Sequence, residues 1–418
     1  MITSTITKAS ALNTLLLINI FLLMLALNGI PWIKWLAILP WLITTLSKGG
    51  MRQIISTIND HRIAFLLSLL ISIFIYTGCW QYHCDRQERM SYLIPLLWVP
   101  IASAVKSNLR LSEPKGFGLH LFFVIFLAIS IVSCALFWQH FIENHPRPPA
   151  FSSNVLIAPM LMGMTCVLFM LKSTWPSNGQ HSRTLRNFSV AALLFATAGS
   201  MMTFSKTGLL VFAVAVAIRM VTVPSTRKVL FWASLPLIML WTIFISDTLN
   251  VVRTDIAKYE EGSRRTSLGE RLDAITWGTE NVRSVPLQGI GREELRFKFN
   301  ERWRDWGLKE SDVTPMPHLH NDYLQIAIAY GIISSASFAL FWIILAAKAT
   351  KTLRRAMNHE ASFHTNSWFL TFTGIFITAF MLDSFTHWPS AWLMINASLG
   401  IGLGLLSSNS LTVSSEPR

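Results

Sequence analysis

Long apolar runs recur along most of this chain, and that alternation with short polar connections limits the fold more than any other feature. Stretches such as "LLSLLISIFIY" and "LFFVIFLAISIVSCALF" contain no charged residue. Hydrophobic residues make up 52% of the 418, and charged residues only 14%, against about 25% in ordinary soluble domains. A single water-soluble core cannot hide that much apolar surface, so the sequence predicts an all-α, polytopic membrane protein. At a rise of about 1.5 Å per residue, about twelve helices are long enough for a hydrocarbon core of about 30 Å. They are expected over 11–29, 31–46, 62–78, 91–105, 117–138, 153–172, 188–204, 207–223, 229–246, 323–347, 367–383 and 388–406. After the tight Asn28-Gly29-Ile30-Pro31 turn another apolar run follows, rather than a small-residue cleavage site, so no cleavable signal peptide is expected there.

Orientation follows from the lysine and arginine bias of the short connections. With both termini cytoplasmic, the inner connections and ends hold 18 basic residues, among them Lys106, Arg110, Arg227, Lys348 and Arg354. The short outer connections hold 5: Lys34, Arg86, Arg89, Arg147 and Lys206. The formal net charge of +13 therefore reads as topology charge. No aromatic-basic stripe accompanies it, and no nucleic-acid partner is expected. Cys134 and Cys166 lie within apolar runs and act as small hydrophobes, whereas spacing alone leaves open whether Cys79 and Cys84 pair.

Residues 247–322 stand apart. This polar segment carries 12 of the 35 basic and 14 of the 22 acidic residues, too long a loop to count in the charge bias. It is expected to form a small, partly helical domain on the outer side of the membrane, between N-terminal spans (1–246) and C-terminal spans (323–406), with 407–418 as a cytoplasmic tail. Helical spacing and opposite-charge neighbours mark "GERLDAITWGTENV" and "GREELRFKFNERWRDWGL" within it.

The segment's end, "MPHLHNDYLQIAIAYGI", sets two histidines against the next apolar run. His320, Leu324, Ala327 and Gly331 are spaced for one face of a helix starting near Asn321 or Asp322, with Ala327 and Gly331 small enough for close helix approach. At the N-terminal end of such a helix, free N–H groups and the dipole favour an anion and disfavour imidazolium. His320 would then be neutral and able to accept a proton. A boundary histidine also serves simply as an amphipathic interface residue, and spacing leaves both roles open. Two histidines without an Asp, Glu or Cys cluster argue against a metal.

Upstream, "SRRTSLGERL" places Arg264, Arg265 and Arg271 around a Ser-Leu-Gly turn that can start a helix. Arginine grips phosphate through a planar, permanently charged fork. Arg264 reads as a solvated partner of nearby glutamates, among them Glu270. Arg271 has the stronger claim, because Gly269 leaves room for a ligand beside it. Lys206 interrupts "MMTFSKTGLLVF" at the outer end of two spans, either as a functional cation or as a snorkelling lysine. The "PLQGIGREEL" stretch lacks the third glycine and βαβ setting of a dinucleotide fingerprint and reads as a turn within the loop.

Taken together, "TSLGERL" in a long external loop and "HLHNDYLQIAIAYG" opening the next span resemble the O-antigen ligase family. That resemblance implies a metal- and cofactor-independent glycosyltransferase of the Gram-negative inner membrane, with its site on the periplasmic face. The donor would be O-antigen polysaccharide on undecaprenyl pyrophosphate, and the acceptor a lipid A-core sugar. The family's histidine matches His320 and its loop arginine matches Arg271. Lys206 stands where the family carries an arginine, keeping the charge but losing the fork. Arg265, His318 and Asn321 complete the expected substrate contacts. O-antigen polymerases and protein O-oligosaccharyltransferases share this pattern. A transporter or flippase would instead gather its ionisable residues at the midplane and show repeated halves, which this sequence does not.

Overall fold

A computed structural model describes chiefly residues 50–81, 92–111, 114–144, 253–262, 266–305, 318–355 and 360–382, with parts of 213–222 and 392–404. Among the described residues every regular element is helical. The expected spans 11–29, 31–46, 153–172, 188–204 and 229–246 lie essentially outside them, as do most of 207–223 and 388–406. So do Lys206, Arg265 and Cys84.

The N-terminal described part is an elbow. Helix α1 (Gly50–Asp60) meets α2 (Arg62–Gln81) at a bend of 98°. After a single 3-10 turn at Ile94–Leu96 come α3 (Trp98–Leu111) and α4 (Pro114–Phe141). A cluster of polar groups ties the elbow down. Lys106 of α3 is 2% exposed, and its ammonium pairs with Asp60 and donates to Ser56 Oγ at 2.9 Å. A buried ammonium left without such partners would be severely penalised. Trp98 closes the corner, donating from Nε1 to Ser68 Oγ at 3.0 Å. Close packing by small residues appears at Gly400 and Gly404, where an added Cβ would come within 2.7 Å of Ile101 and Val105 of α3.

Two helices of the 247–322 segment form where helical spacing marked them. Thr266 caps α5 (Ser267–Asn281), its hydroxyl accepting from Gly269 N at 3.0 Å. Helix α6 (Arg292–Asp305) is tied to it by the Arg302 fork on Asp273 at 3.2 and 3.3 Å. Trp277 and Phe299 pack beneath that pair, ring centroids 5.4 Å apart.

The expected continuous span 323–347 is corrected by the structure. Helix α7 (Asp322–Tyr330) stops at Gly331, and α8 (Ile332–Arg355) starts in a new direction. Gly331 has φ 91° and ψ 159°, a region open essentially to glycine alone. The chain folds back there. Ser335 Oγ of α8 donates to the carbonyl of Tyr323, near the far end of α7, at 2.7 Å, and the Tyr323 and Phe338 rings lie 5.7 Å apart. Helix α7 thus runs beside the first turns of α8 rather than leading into it. His320 and Gly331 consequently do not share one helix face.

Of the described helices, Ile332–Arg354 alone is long and apolar enough by itself to cross a membrane; the bent α1–α2 pair is a second if taken as one span. Helix α9 (Glu360–Leu382) lines α8 with an aromatic ladder in which Trp342 meets Phe376 at 5.4 Å and Phe380 at 5.3 Å.

The break at Gly331 is locked from outside. The turn over 286–291 lies across the end of α7, with Ile290 N donating to Ile328 O at 2.9 Å and Gly291 N to Ala329 O at 3.0 Å. These bonds satisfy carbonyls that a helix end otherwise leaves open. A Cβ on Gly331 would lie 1.7 Å from Leu287 O, and one on Gly289 would lie 2.3 Å from Ala329 O. Gly331→Ala should therefore cost at least about 1–3 kcal/mol from backbone strain alone. The expected readout is a lower melting temperature of the detergent-purified protein, and an unchanged one would mean the break is not locked as described.

Candidate active site

The turn that connects the 247–322 segment to α7 is fixed on both sides of His320. Leu319 N donates to Gln325 Oε1 at 3.0 Å. Asn321 caps α7 by accepting from Leu324 N at 3.0 Å, and its Nδ2 donates to Met381 O of α9 at 3.2 Å. Between these tethers His320 takes a left-handed backbone, φ 53°, at a cost on the order of 1–2 kcal/mol for a non-glycine residue. Such strain persists only where the surroundings over-determine it. His320 is 7% exposed and Leu319 fully buried, so the imidazole is held in a shielded place. The His318 ring lies against it, centroids 4.4 Å apart at 61°.

Because α7 folds back along α8, this turn lies away from the start of α8. The bond from Asn321 to Met381 sets it beside the last turn of α9, and Tyr323 next to it packs on both Phe338 and Phe380.

Helix α5 closes another side. Gly278 has no side chain to hold it off, so an added Cβ would lie only 3.3 Å from Leu319 Cδ1 and 3.3 Å from Leu324 Cδ1. The first turn of the same helix carries Glu270, and Arg271 follows at the start of the second, both half-buried. Burial pushes the Glu270 carboxyl above the usual carboxylate range; the charges of His320 and then Arg271 pull it partly back, and Asp255 opposes them. Of the residues expected from the sequence, His318, His320 and Asn321 share the turn before α7, and Arg271 lies on α5, the helix that packs on Leu319 through Gly278. Lys206 and Arg265 lie outside the described residues. Among the described residues no group of three or more His, Cys, Asp or Glu side chains is placed to hold a metal ion.

Sequence reasoning missed three contributors. Glu270 was assigned to pairing with neighbouring arginines. Gln325 passed as part of an apolar run, although one amide on a helix otherwise buried among apolar residues is a signal that it satisfies something. Gly278 gave no signal, since its importance lies in what packs against it. Chemically, the turn offers a shielded imidazole, and α5, packed against it, carries a guanidinium and a carboxyl.

The two roles of Asn321 can be separated. Asn321→Asp keeps the capping oxygen and loses the donor to Met381, whereas Asn321→Ala loses both. A lost cap costs about 0.5–2 kcal/mol. Thermal melts should rank wild type above Asp and Asp above Ala, with activity falling already in the Asp variant. Full activity in Asn321→Asp would show that the Met381 tether does not position His320.

Residues 191–339 match the family model described as O-antigen ligase, about a third of the chain, taking in both α5 and the His318–Asn321 turn. No curated protein matches the chain.

Proposed function

We propose that this chain, whose residues 191–339 match the O-antigen ligase family model, transfers O-antigen polysaccharide from undecaprenyl pyrophosphate to a lipid A-core sugar at the periplasmic face of the inner membrane. The family implies a membrane glycosyltransferase-like enzyme of ligase or polymerase type, acting on lipid-linked polysaccharide. The observation that carries the finer reading is His320, buried and strained between two tethers in a turn against which the arginine-bearing helix α5 packs.

In the proposed reaction the acceptor hydroxyl oxygen forms a bond to the anomeric carbon of the donor sugar. The bond from that carbon to the pyrophosphate oxygen breaks, and its electron pair leaves with undecaprenyl pyrophosphate. The hydroxyl proton passes to a ring nitrogen of His320, which later returns it to water. A positioned base of this kind contributes about 10²–10⁴ in rate. Arg271 holds the pyrophosphate and balances the charge growing on it, an electrostatic role that is often the largest single contribution. Lys206 and Arg265 add positive charge toward the same leaving group, and His318 and Asn321 keep the imidazole in place. The donor's lipid tail lies in the membrane among the spans, so no soluble carrier is needed. The segment 247–322 serves as the periplasmic domain, flanked by spans over 1–246 and 323–406.

The test is lipopolysaccharide banding in a ligase-deficient Gram-negative host that has a compatible core and an O-antigen pathway. Wild-type protein should restore the ladder, and His320→Ala at matched expression should leave bare lipid A-core. No ladder from the wild type, with lipid-linked polymer still accumulating, would remove ligation in that host and direct the test to polymerase-deficient cells. A full ladder from His320→Ala would overturn the mechanism.

A further inference from the structure

Helix α1 inverts the usual arrangement of a surface helix, in which apolar side chains turn inward and polar ones outward. Gln53, Ser56, Thr57 and Asp60 share one side of it, and there Ser56 and Asp60 hold the buried Lys106 ammonium of α3. Ile54 and Ile58 pack on the core from a second side. Met51 and Ile55, one turn apart, are left 60% and 55% exposed, with Arg52 and Asn59 exposed beside them.

The bend at His61 decides what that edge meets. Taken as one span, the α1–α2 pair owes its crossing to α2, whose 20 residues reach about 30 Å. At 98° to it, α1 adds almost nothing to that depth and runs along the membrane plane at the Arg62 end. The angle is held by contacts. Lys106 clasps Asp60 from α3, while Lys348 of α8 donates to Asp60 O at 2.6 Å and meets His61 Nδ1 at 3.0 Å. Straightening the elbow would strip these ammonium groups of their partners.

Charge selects among the possible occupants. Helices α1, α2, α3 and α8 carry eight lysines and arginines and a single carboxylate, Asp60, which Lys106 already engages. Arg52, Arg62, Lys351 and Arg354 are exposed. A second copy of the chain docking on this edge would set like charges against each other. Lipid phosphates bring the opposite charge, and acyl chains accept Met51 and Ile55.

We infer that α1 lies in the headgroup layer of the cytoplasmic leaflet, with Met51 and Ile55 in the acyl boundary and Arg52 and Arg62 on the phosphates of anionic phospholipid. A helix divided in this way beds at the boundary between headgroups and acyl chains. The lysine and arginine bias of the connections assigns the leaflet. Each arginine near an anionic surface favours it about fivefold.

Two measurements on the full-length protein test this. The first uses nanodiscs and protein whose Cys79, Cys84, Cys134 and Cys166 are replaced by serine, with a nitroxide at Met51→Cys or Ile55→Cys. Both labels should collide more with oxygen than with a water-soluble nickel complex, and both should sit at one depth. A helix leaving the membrane at the bend would set Met51 about 6 Å shallower. In the second, native mass spectrometry should show phosphatidylglycerol bound more tightly than phosphatidylcholine. One phosphatidylglycerol site should weaken about fivefold in Arg52→Gln, recover in Arg52→Lys and stay unchanged in Arg296→Gln on α6.

Labels more open to nickel than to oxygen, or at unequal depths, would overturn the inference. So would labels closed to both reagents, which would mean that protein covers the edge. Unchanged phosphatidylglycerol binding in Arg52→Gln, or an equal loss in Arg296→Gln, would overturn it as well. None of these results touches the ligation reading, which rests on the far end of α8.

Discussion

The interlock between the 286–291 turn and the broken end of α7 is the contact on which the rest of the site depends. Two backbone bonds, Ile290 N to Ile328 O and Gly291 N to Ala329 O, close the helix from outside. Gly289 and Gly331 bring the two backbones so near that neither tolerates a Cβ. A helix of nine residues is marginal by itself, and most of its support must come from packing. Here the loop supplies one end and α8, α9 and α5 supply the sides. The 247–322 segment is therefore part of the scaffold of the site, and a shift of the turn would be felt at His320 through one helix.

Satisfaction of polar groups explains why the His318–Asn321 turn survives burial. A buried N–H without an acceptor costs about 1–3 kcal/mol, which Gln325 Oε1 averts at Leu319. Asn321 uses both ends of its amide, one for the helix and one for the carbonyl of Met381. The left-handed backbone at His320 is sustained by this arrangement. Rigidity of that kind suits a group whose task is to meet a hydroxyl at a set angle, where small misplacements are costly in rate. At the opposite end of α8, the cluster of Lys106, Asp60, Ser56 and Lys348 stitches the α1–α2 elbow to α3 and α8, with Lys348 Nζ donating to Asp60 O at 2.6 Å.

Much of the architecture was legible in the sequence, element by element. The uncharged run after Arg62 forms α2, and the two charged stretches of the 247–322 segment form α5 and α6, because period and capping residues are local properties. Asn321 caps its helix where a short amide ahead of an apolar run said a helix should start. The continuous span 323–347 was not legible correctly. Apolar residues continue unbroken across Gly331, and hydropathy records no direction. A lone glycine within a helical pattern is compatible with an uninterrupted helix; the break shows only in its positive φ and in the Ser335–Tyr323 bond across the fold.

The site divides along the same line. Sequence by itself determined the residue types and their order: a histidine before a capped helix, an arginine after a Ser-Leu-Gly turn, and a polar segment joining them. Those follow from motif, charge and periodicity, which are written in neighbouring residues. Tertiary structure decided that α7 folds back, that the His320 turn is tied to Met381 of α9, and that α5 packs on Leu319. Each of these depends on contacts between residues far apart in the chain, whose meeting is set by packing and by the satisfaction of buried backbone groups.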